Sequence, residues 1–385
     1  MTTGRSPSHP EGDQPVSVPS PSDEAAHRRR FAGRTLDCPD VLIVNDGYLK
    51  ATWPFLADRL REGLVGTDHT LLWETVPASS HLRDIRGVDD VRALVLIGVE
   101  PEPADLAALS RLAVVAGVGG VGSAVAAELA ARGIAYVDGS RGHTDSRAEH
   151  AIALVLAALR SLPSWHTTMA VEGPRAWPLP SWQYSDHPGL VNGTLRGKTV
   201  AVVGLGPLGA RVAELCAAFG ATVAVADPDA DEIDVAVSGA QRIDLEHVSA
   251  ADIVVVTEGT PRSRLTAAVL DRLRAGSLVV TLDAAGIDLA ALRERVLRGE
   301  LAWATDVYET VPVPLDDPIL GRDNVVHTPG IAGRTREANH GVADVLVENI
   351  ARVLRGGQPW PWDRLPFARP IPVEESASSD GATQA

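Results

Sequence analysis

The stretch Gly197-Lys-Thr-Val-Ala-Val-Val-Gly-Leu-Gly-Pro-Leu-Gly209 decides the fold. A β-branched run, Thr199–Val203, ends in Gly204, Gly206 and Gly209 at G-x-G-x-x-G spacing, and an Ala/Leu-rich segment suited to a helix follows. In that arrangement the first glycine permits a tight turn, the second lets a pyrophosphate approach the backbone, and the third lets helix and strand pack closely. The helix start at Pro207 and Leu208 then turns its amides, and the positive end of its dipole, toward an anion. Such spacing alone is weak evidence. Here Gly220, the run Thr222–Ala226 and then Asp227 follow, an acidic residue about 20 positions beyond the glycines. That carboxylate can accept hydrogen bonds from ribose hydroxyls and repels a 2′-phosphate, so NAD is favoured over NADP.

A second literal match, Gly117-Val-Gly-Gly-Val-Gly122, also follows a strand and precedes an Ala-rich helix, Ser123–Arg132. On spacing it too can bind a nucleotide. Its helix is short, however, and glycine turns are common where strand ends face a cleft, so contact with a substrate through backbone amides is the preferred reading.

Outward from the fingerprint, short apolar runs alternate with helical segments along the chain, the pattern of parallel sheets covered by helices. Strands are expected at Val41–Asn45, Thr70–Glu74, Ala93–Ile97, Leu112–Ala116 and Ile134–Val137, and then at Thr199–Val203, Thr222–Ala226, Ile253–Thr257, Ser277–Thr281, Leu301–Asp306 and Val325–Thr328. A helix is expected over Ser146–Arg160, capped by Asp145 or Ser146, and a last one over Arg334–Arg355. Between them Pro163–Asn192 reads as an irregular connection rich in Trp and Pro. The fold class is therefore α/β, with two Rossmann-like, doubly wound parallel sheets and an active site in the cleft between the domains. Residues 1–36 and 367–385, rich in Pro, Ser and acidic residues, read as disordered tails.

The chain has 385 residues, enough for two domains, and a formal net charge of −15. That charge argues against nucleic acid, whose phosphates need a basic face. The run Arg28–Arg30 reads as a solvated linker. Apolar stretches fall short of the roughly 18–20 residues that span a bilayer, so no membrane helix is expected. The two cysteines, Cys38 and Cys216, fit a reduced, cytoplasmic location. No Cys/His metal spacing and no nucleophilic-serine motif is present.

On four stretches the chain resembles the D-isomer-specific 2-hydroxyacid dehydrogenases, which include formate and phosphoglycerate dehydrogenases. These are Gly133-Ile134 through Ser146-Arg-Ala-Glu-His150, the fingerprint itself, Asp306-Val-Tyr-Glu309, and Asn324-Val-Val-His-Thr-Pro-Gly-Ile-Ala-Gly333. The likeness runs from about Val41 to Leu354. It implies a discontinuous substrate domain (37–145 with 334–366), an inserted NAD domain (146–333), and a homodimer. It also implies that Asp227 binds the ribose, that Asp306 holds the nicotinamide carboxamide, and that Thr257, Glu258, Gly259 and Thr260 form the loop beside the cofactor, with Glu258 where the family has proline.

The family's catalytic positions are changed. Its arginine has no counterpart in Val280–Gly286, its glutamate before proline is Val311, and its histidine is Gly330. Oxidising a 2-hydroxy acid needs a base for the hydroxyl proton while hydride leaves carbon, and losing the relay removes several kcal/mol of transition-state stabilisation. Replacements are sought in Asp138–Arg147: His143 as a proton-transfer group and Arg147 as a bidentate partner for a carboxylate or phosphate, each with a structural role as its alternative. Arg141 reads as exposed, and strand alternation turns His327 away from Gly330. An NAD-dependent oxidoreductase with a rebuilt site is one reading; a redox-neutral enzyme using NAD internally and a non-catalytic NAD-binding scaffold are the others.

Overall fold

In the computed structural model the described residues are 39–47, 49, 53–65, 69–76, 81–177, 189–258, 260 and 262–365. The two expected tails, Arg28–Arg30, Cys38, Trp182, Tyr184 and Gly259 lie outside them.

Apolar runs of the first half form β1 (Val41–Asn45), β2 (Leu71–Thr75), β3 (Ala93–Ile97), β4 (Val114–Gly117) and β5 (Ala135–Asp138), all parallel in the order β2-β1-β3-β4-β5. Helices α1 (Leu56–Val65), α2 (Pro103–Ala108) and α3 (Ser123–Ala131) connect them, and α4 (Thr144–Leu159) and α5 (Leu162–Glu172) lead onward. The second sheet holds β6 (Thr199–Val203), β7 (Thr222–Ala226), β8 (Gln241–Arg242), β9 (Ile253–Val256), β10 (Leu278–Thr281), β11 (Ala302–Thr305) and β12 (Val325–His327), again parallel, in the order β12-β11-β10-β9-β6-β7-β8. Its helices are α6 (Pro207–Ala218), α7 (Glu232–Ser238), α8 (Ala267–Leu270) and α9 (Leu289–Leu297), after which α10 (Arg336–Leu354) closes the chain's helical part. Both sheets are doubly wound. Strand order reverses between β1 and β3 in one and between β6 and β9 in the other, and crevices for ligands open at the carboxyl ends of such pairs.

Strands β1, β3, β9, β10 and β11 are buried along their whole length, which is why they read as unbroken apolar runs rather than alternating ones. The first sheet cannot complete its core locally. Val342, Ala343, Leu346 and Ile350 of α10 bury against Val41, Ile43, Val95 and Val114, so the end of the chain seals a layer begun three hundred residues earlier. α10 also lies on the 3₁₀ turn Gly139–His143, where a side chain at Gly142 would collide with the backbone of Gly341 and Val342.

Several local expectations are corrected. Helix α4 starts at Thr144, because the 3₁₀ turn runs straight into it; Ser146 does not cap it, and its hydroxyl donates to the Ala332 carbonyl at 2.7 Å. Pro163–Asn192 contains α5, with Pro163 in the first turn, where a missing N–H costs nothing. Edge strand β8, two residues long and polar, was too short to show a period. Helix α10 begins after Thr335, whose hydroxyl accepts from the Ala338 amide at 3.1 Å.

Arg141 is half-buried rather than exposed. Its guanidinium grips the fully buried Asp363 carboxylate through two bonds, 2.5 and 3.0 Å, and Asn349 Nδ2 donates to the same carboxylate at 2.9 Å. This pair ties the segment after α10 to the turn that leads into the cleft. Arg141→Ala strands a buried carboxylate, and the free energy of unfolding from urea titration is expected to fall by about 2 kcal/mol or more.

Candidate functional site

The elbow between β6 and α6 has the form its glycines require. Gly204 sits at φ +89°, in the left-handed region open to glycine. A Cβ at Gly209 would collide with the Gly204 carbonyl, so the third glycine is what lets helix meet strand. Pro207 and Leu208 form the first turn of α6, aimed across the β6/β9 crevice.

Residues around the elbow brace it. Asp227, nearly buried at 9% exposure, accepts from the Leu205 amide at 2.8 Å and the Asp229 amide at 2.9 Å, which fixes its carboxylate at the rim. Thr257 is fully buried and its hydroxyl donates to the carbonyls of Val203 and Gly204, at 3.1 and 2.9 Å. Thr260 is exposed and bonds Ser263. Glu258 lies directly over the glycines. A Cβ at Gly206 would run into its carboxylate, and the Leu208 amide donates to that carboxylate. Burial pushes its pKa up, Asp227 and Asp283 add to the rise, and Arg147 and the Leu208 amide oppose it.

Facing the elbow is a cavity of about 260 Å³ whose walls include Pro207, Leu208 and Glu258 on one side and Ser140, Thr144 and Arg147 on the other. Arg147 extends from α4 to donate to the Leu282 carbonyl at 2.9 Å. Its neighbour His143 stacks on Trp53, ring centroids 5.5 Å apart at 19°. The His143 Nε2 is enclosed and has no hydrogen-bond partner among the described residues. Burial, then the Arg147 charge, lowers its pKa against a weaker opposing pull from Asp138, so the ring is neutral at pH 7. This setting suits a packing group that positions Arg147 better than a proton carrier.

The carboxyl ends of β10, β11 and β12 border a second cavity of about 800 Å³, walled mainly by apolar side chains such as Tyr308, Val311, Val313 and Leu320, with Gly330 and Arg334. Asp306 is buried at its edge and fully engaged: Thr328 Oγ1 (2.6 Å) and the amides of Ile331 and Ala332 (both 2.8 Å) donate to it. His150 Nε2 joins Thr328 Oγ1 at 2.9 Å. His327 lines this cavity together with Gly330, contrary to the reading from strand alternation, because the chain turns at Thr328–Pro329 directly after β12. Its Nδ1 is buried without a partner among the described residues, and burial lowers its pKa.

In the second glycine loop, the amides are taken by the chain's own oxygens. Gly119 N–H donates to Asp138 (3.0 Å) and Ser140 (3.2 Å), and Gly122 N–H donates to Glu100 (2.8 Å). His81, Glu102 and Asp105 converge on α2 in a way that sequence spacing did not reveal, but Arg83 already pairs with both carboxylates. Cys216 is buried, which pushes its thiol up to about 12 and leaves it inert.

Comparison with known proteins agrees with this geometry. Residues 152–332 match the family described as D-isomer specific 2-hydroxyacid dehydrogenase, NAD binding domain. A glyoxylate reductase of Korarchaeum cryptofilum is 30% identical over 297 residues, 75% of this chain and 87% of that protein. The chain belongs to the D-isomer-specific 2-hydroxyacid dehydrogenase family. A D-3-phosphoglycerate dehydrogenase of Archaeoglobus fulgidus is 37% identical over 232 residues, 58% of this chain and 42% of that one. Across the first phosphoglycerate dehydrogenases matched, the chain spans about half of their length, 42% to 58%. A solved structure from Thermus thermophilus superposes with TM-score 0.61 at 26% identity, covering 84% of this chain and 99% of its own. A phosphoglycerate oxidoreductase from Rhizobium etli shares the fold, with TM-score 0.71 and 20% identity over 85% of this chain and 98% of its own.

The cofactor of this family's matched domain is NAD. The elbow fits its pyrophosphate: the cradle is clear of backbone, exists only because Gly206 has no Cβ, and already places one anion, the Glu258 carboxylate, on the Leu208 amide. Two glycine substitutions separate packing from binding. Gly209→Ala meets backbone and is expected to lower unfolding free energy by about 1–3 kcal/mol. Gly206→Ala meets only the movable end of Glu258, so urea unfolding should stay near wild type while calorimetric NAD affinity falls.

Proposed function

We propose that this protein is an NAD-dependent oxidoreductase acting on a small anionic hydroxy or keto compound, held in the cleft by Arg147 and turned over without the family's proton relay. One observation carries the reading. The Arg147 guanidinium rests on the Leu282 carbonyl, beside the segment where the family resemblance puts its arginine, and it walls the same cavity as the start of α6. A planar cation there can grip a carboxylate through two bonds or polarise a carbonyl. Bound NAD supplies hydride transfer as its own chemistry. The chain's part is to bind, orient and neutralise: Asp227 selects the ribose of NAD, Arg147 binds the substrate anion, and His143 on Trp53 holds Arg147 in place. The domain assignment that goes with this reading joins residues 334–366 to the first sheet, which the burial of α10 there supports.

A second reading, a non-catalytic NAD-binding protein, is favoured by the apolar lining at Val311 and Gly330, where the family's glutamate and histidine stand in the resemblance. A panel of 2-hydroxy and 2-keto acids, followed by NADH absorbance, separates the two. The oxidoreductase reading expects turnover of at least one acid, with kcat/KM lowered about a hundredfold in Arg147→Ala. NAD binding with no turnover on the panel favours the scaffold.

A cytoplasmic homodimer completes the proposal. Helix α5 buries none of its side chains, and Leu162, Met169 and Val171, with Trp177 beyond, are exposed. Such an apolar arm fits a second copy of this chain. Val171→Asp is expected to shift the sedimentation coefficient from dimer toward monomer; an unchanged dimer would remove α5 from the interface.

A further inference from the structure

We propose that Glu258 is an internal stopper of the dinucleotide site: its carboxylate holds the amide cradle of the glycine elbow and must swing out before a pyrophosphate is seated. The inference rests on the elbow being the NAD site and adds a regulatory contact to it.

Three observations converge. The carboxylate carbon and both oxygens of Glu258 crowd the position a Cβ would take on Gly206, the glycine whose bareness admits phosphate. The Leu208 amide in the first turn of α6, a donor that a phosphate oxygen would use, is spent on this carboxylate. The backbone beneath cannot relieve the conflict. Thr257 is locked to the carbonyls of Val203 and Gly204, and the main chain of Glu258 packs on Gly204. Only the side chain can move, and the cavity of about 260 Å³ beside it offers room, with Arg147 on the same wall to receive the displaced charge.

The stopper competes by occupancy and by charge. An ionised Glu258 next to a pyrophosphate is a like-charge contact inside a partly desolvated crevice. The groups that face it are Arg147 from α4, Asp227 after β7 and Asp283 after β10; around the cavity stand Asp138, Arg364 and the Arg141–Asp363 pair. Apparent affinity for NAD is the intrinsic affinity scaled by the fraction of molecules with the cradle open. Protonating Glu258 weakens its hold on the Leu208 amide and removes the repulsion, so NAD binding should tighten as pH falls toward the raised range of this carboxyl.

Calorimetric titration of the full chain with NAD from about pH 8 to about pH 5.5 tests this, on wild type, Glu258→Gln and Glu258→Ala. Glutamine keeps the size and removes the charge; alanine empties the cradle. The proposal expects both variants to bind NAD about tenfold or more tightly than wild type at neutral pH, with the pH dependence of wild type largely gone. Equal or weaker binding by both folded variants, verified by circular dichroism, overturns the stopper. If wild type binds in that case, the elbow stands as the NAD site; if no version binds, both ideas fall together.

Discussion

The contact between Gly209 and the carbonyl of Gly204 is the constraint from which the site follows. Helix α6 can start against the end of β6 only because no Cβ stands between them. That closeness puts the first turn of α6 at the strand-order reversal and lets Thr257 lace β9 to the same elbow. A helix start in such a place carries unsatisfied amides and a positive dipole end, and it draws an anion. The chain answers this demand with its own acids in both sheets: Glu258 reaches the Leu208 amide, and Glu100 the Gly122 amide. The two glycine loops that spacing could not rank are thus alike in this respect. They differ in their surroundings, since only the first has Asp227 fixed at its rim and a cation-walled cavity in front of it.

What the cleft lacks is as informative as what it holds. The positions of the family's glutamate and histidine now border a large apolar space, and the polar groups nearby are committed to structure. Asp306 is saturated by Thr328 and two amides, and His143 is pressed between Trp53 and the Arg147 side of the cleft. Arg147 remains the group with both charge and a place on the cavity wall. Its contact with Leu282 links α4 of the cleft directly to the strand-end segment after β10.

Most of the fold was legible because both sheets are parallel and covered: nearly every strand is a short apolar run with a glycine or a cap after it. The exceptions have physical causes. Gln241–Arg242 is an edge strand too short and polar to carry a pattern. Helix α5 hid behind Pro163, a residue that breaks helices in their middle and starts them in their first turn. At the site, the glycines, Asp227 and Arg147 were found from spacing and resemblance. The position of Glu258 was noticed as a departure from proline, but its reach back over Gly206 depends on a side-chain direction that no linear pattern encodes. The same holds for His327, which alternation turned the wrong way because the chain bends at Pro329, and for Arg141, whose partner Asp363 lies more than two hundred residues away.

A crystal structure of the full chain grown with NADH tests the account most directly. It should show the pyrophosphate against the amides of Gly206 to Leu208, the adenosine ribose on Asp227, and the Glu258 side chain turned into the cavity toward Arg147. Dinucleotide density at Gly117–Gly122 instead, or a pyrophosphate bound elsewhere with Glu258 still on the Leu208 amide, would contradict it.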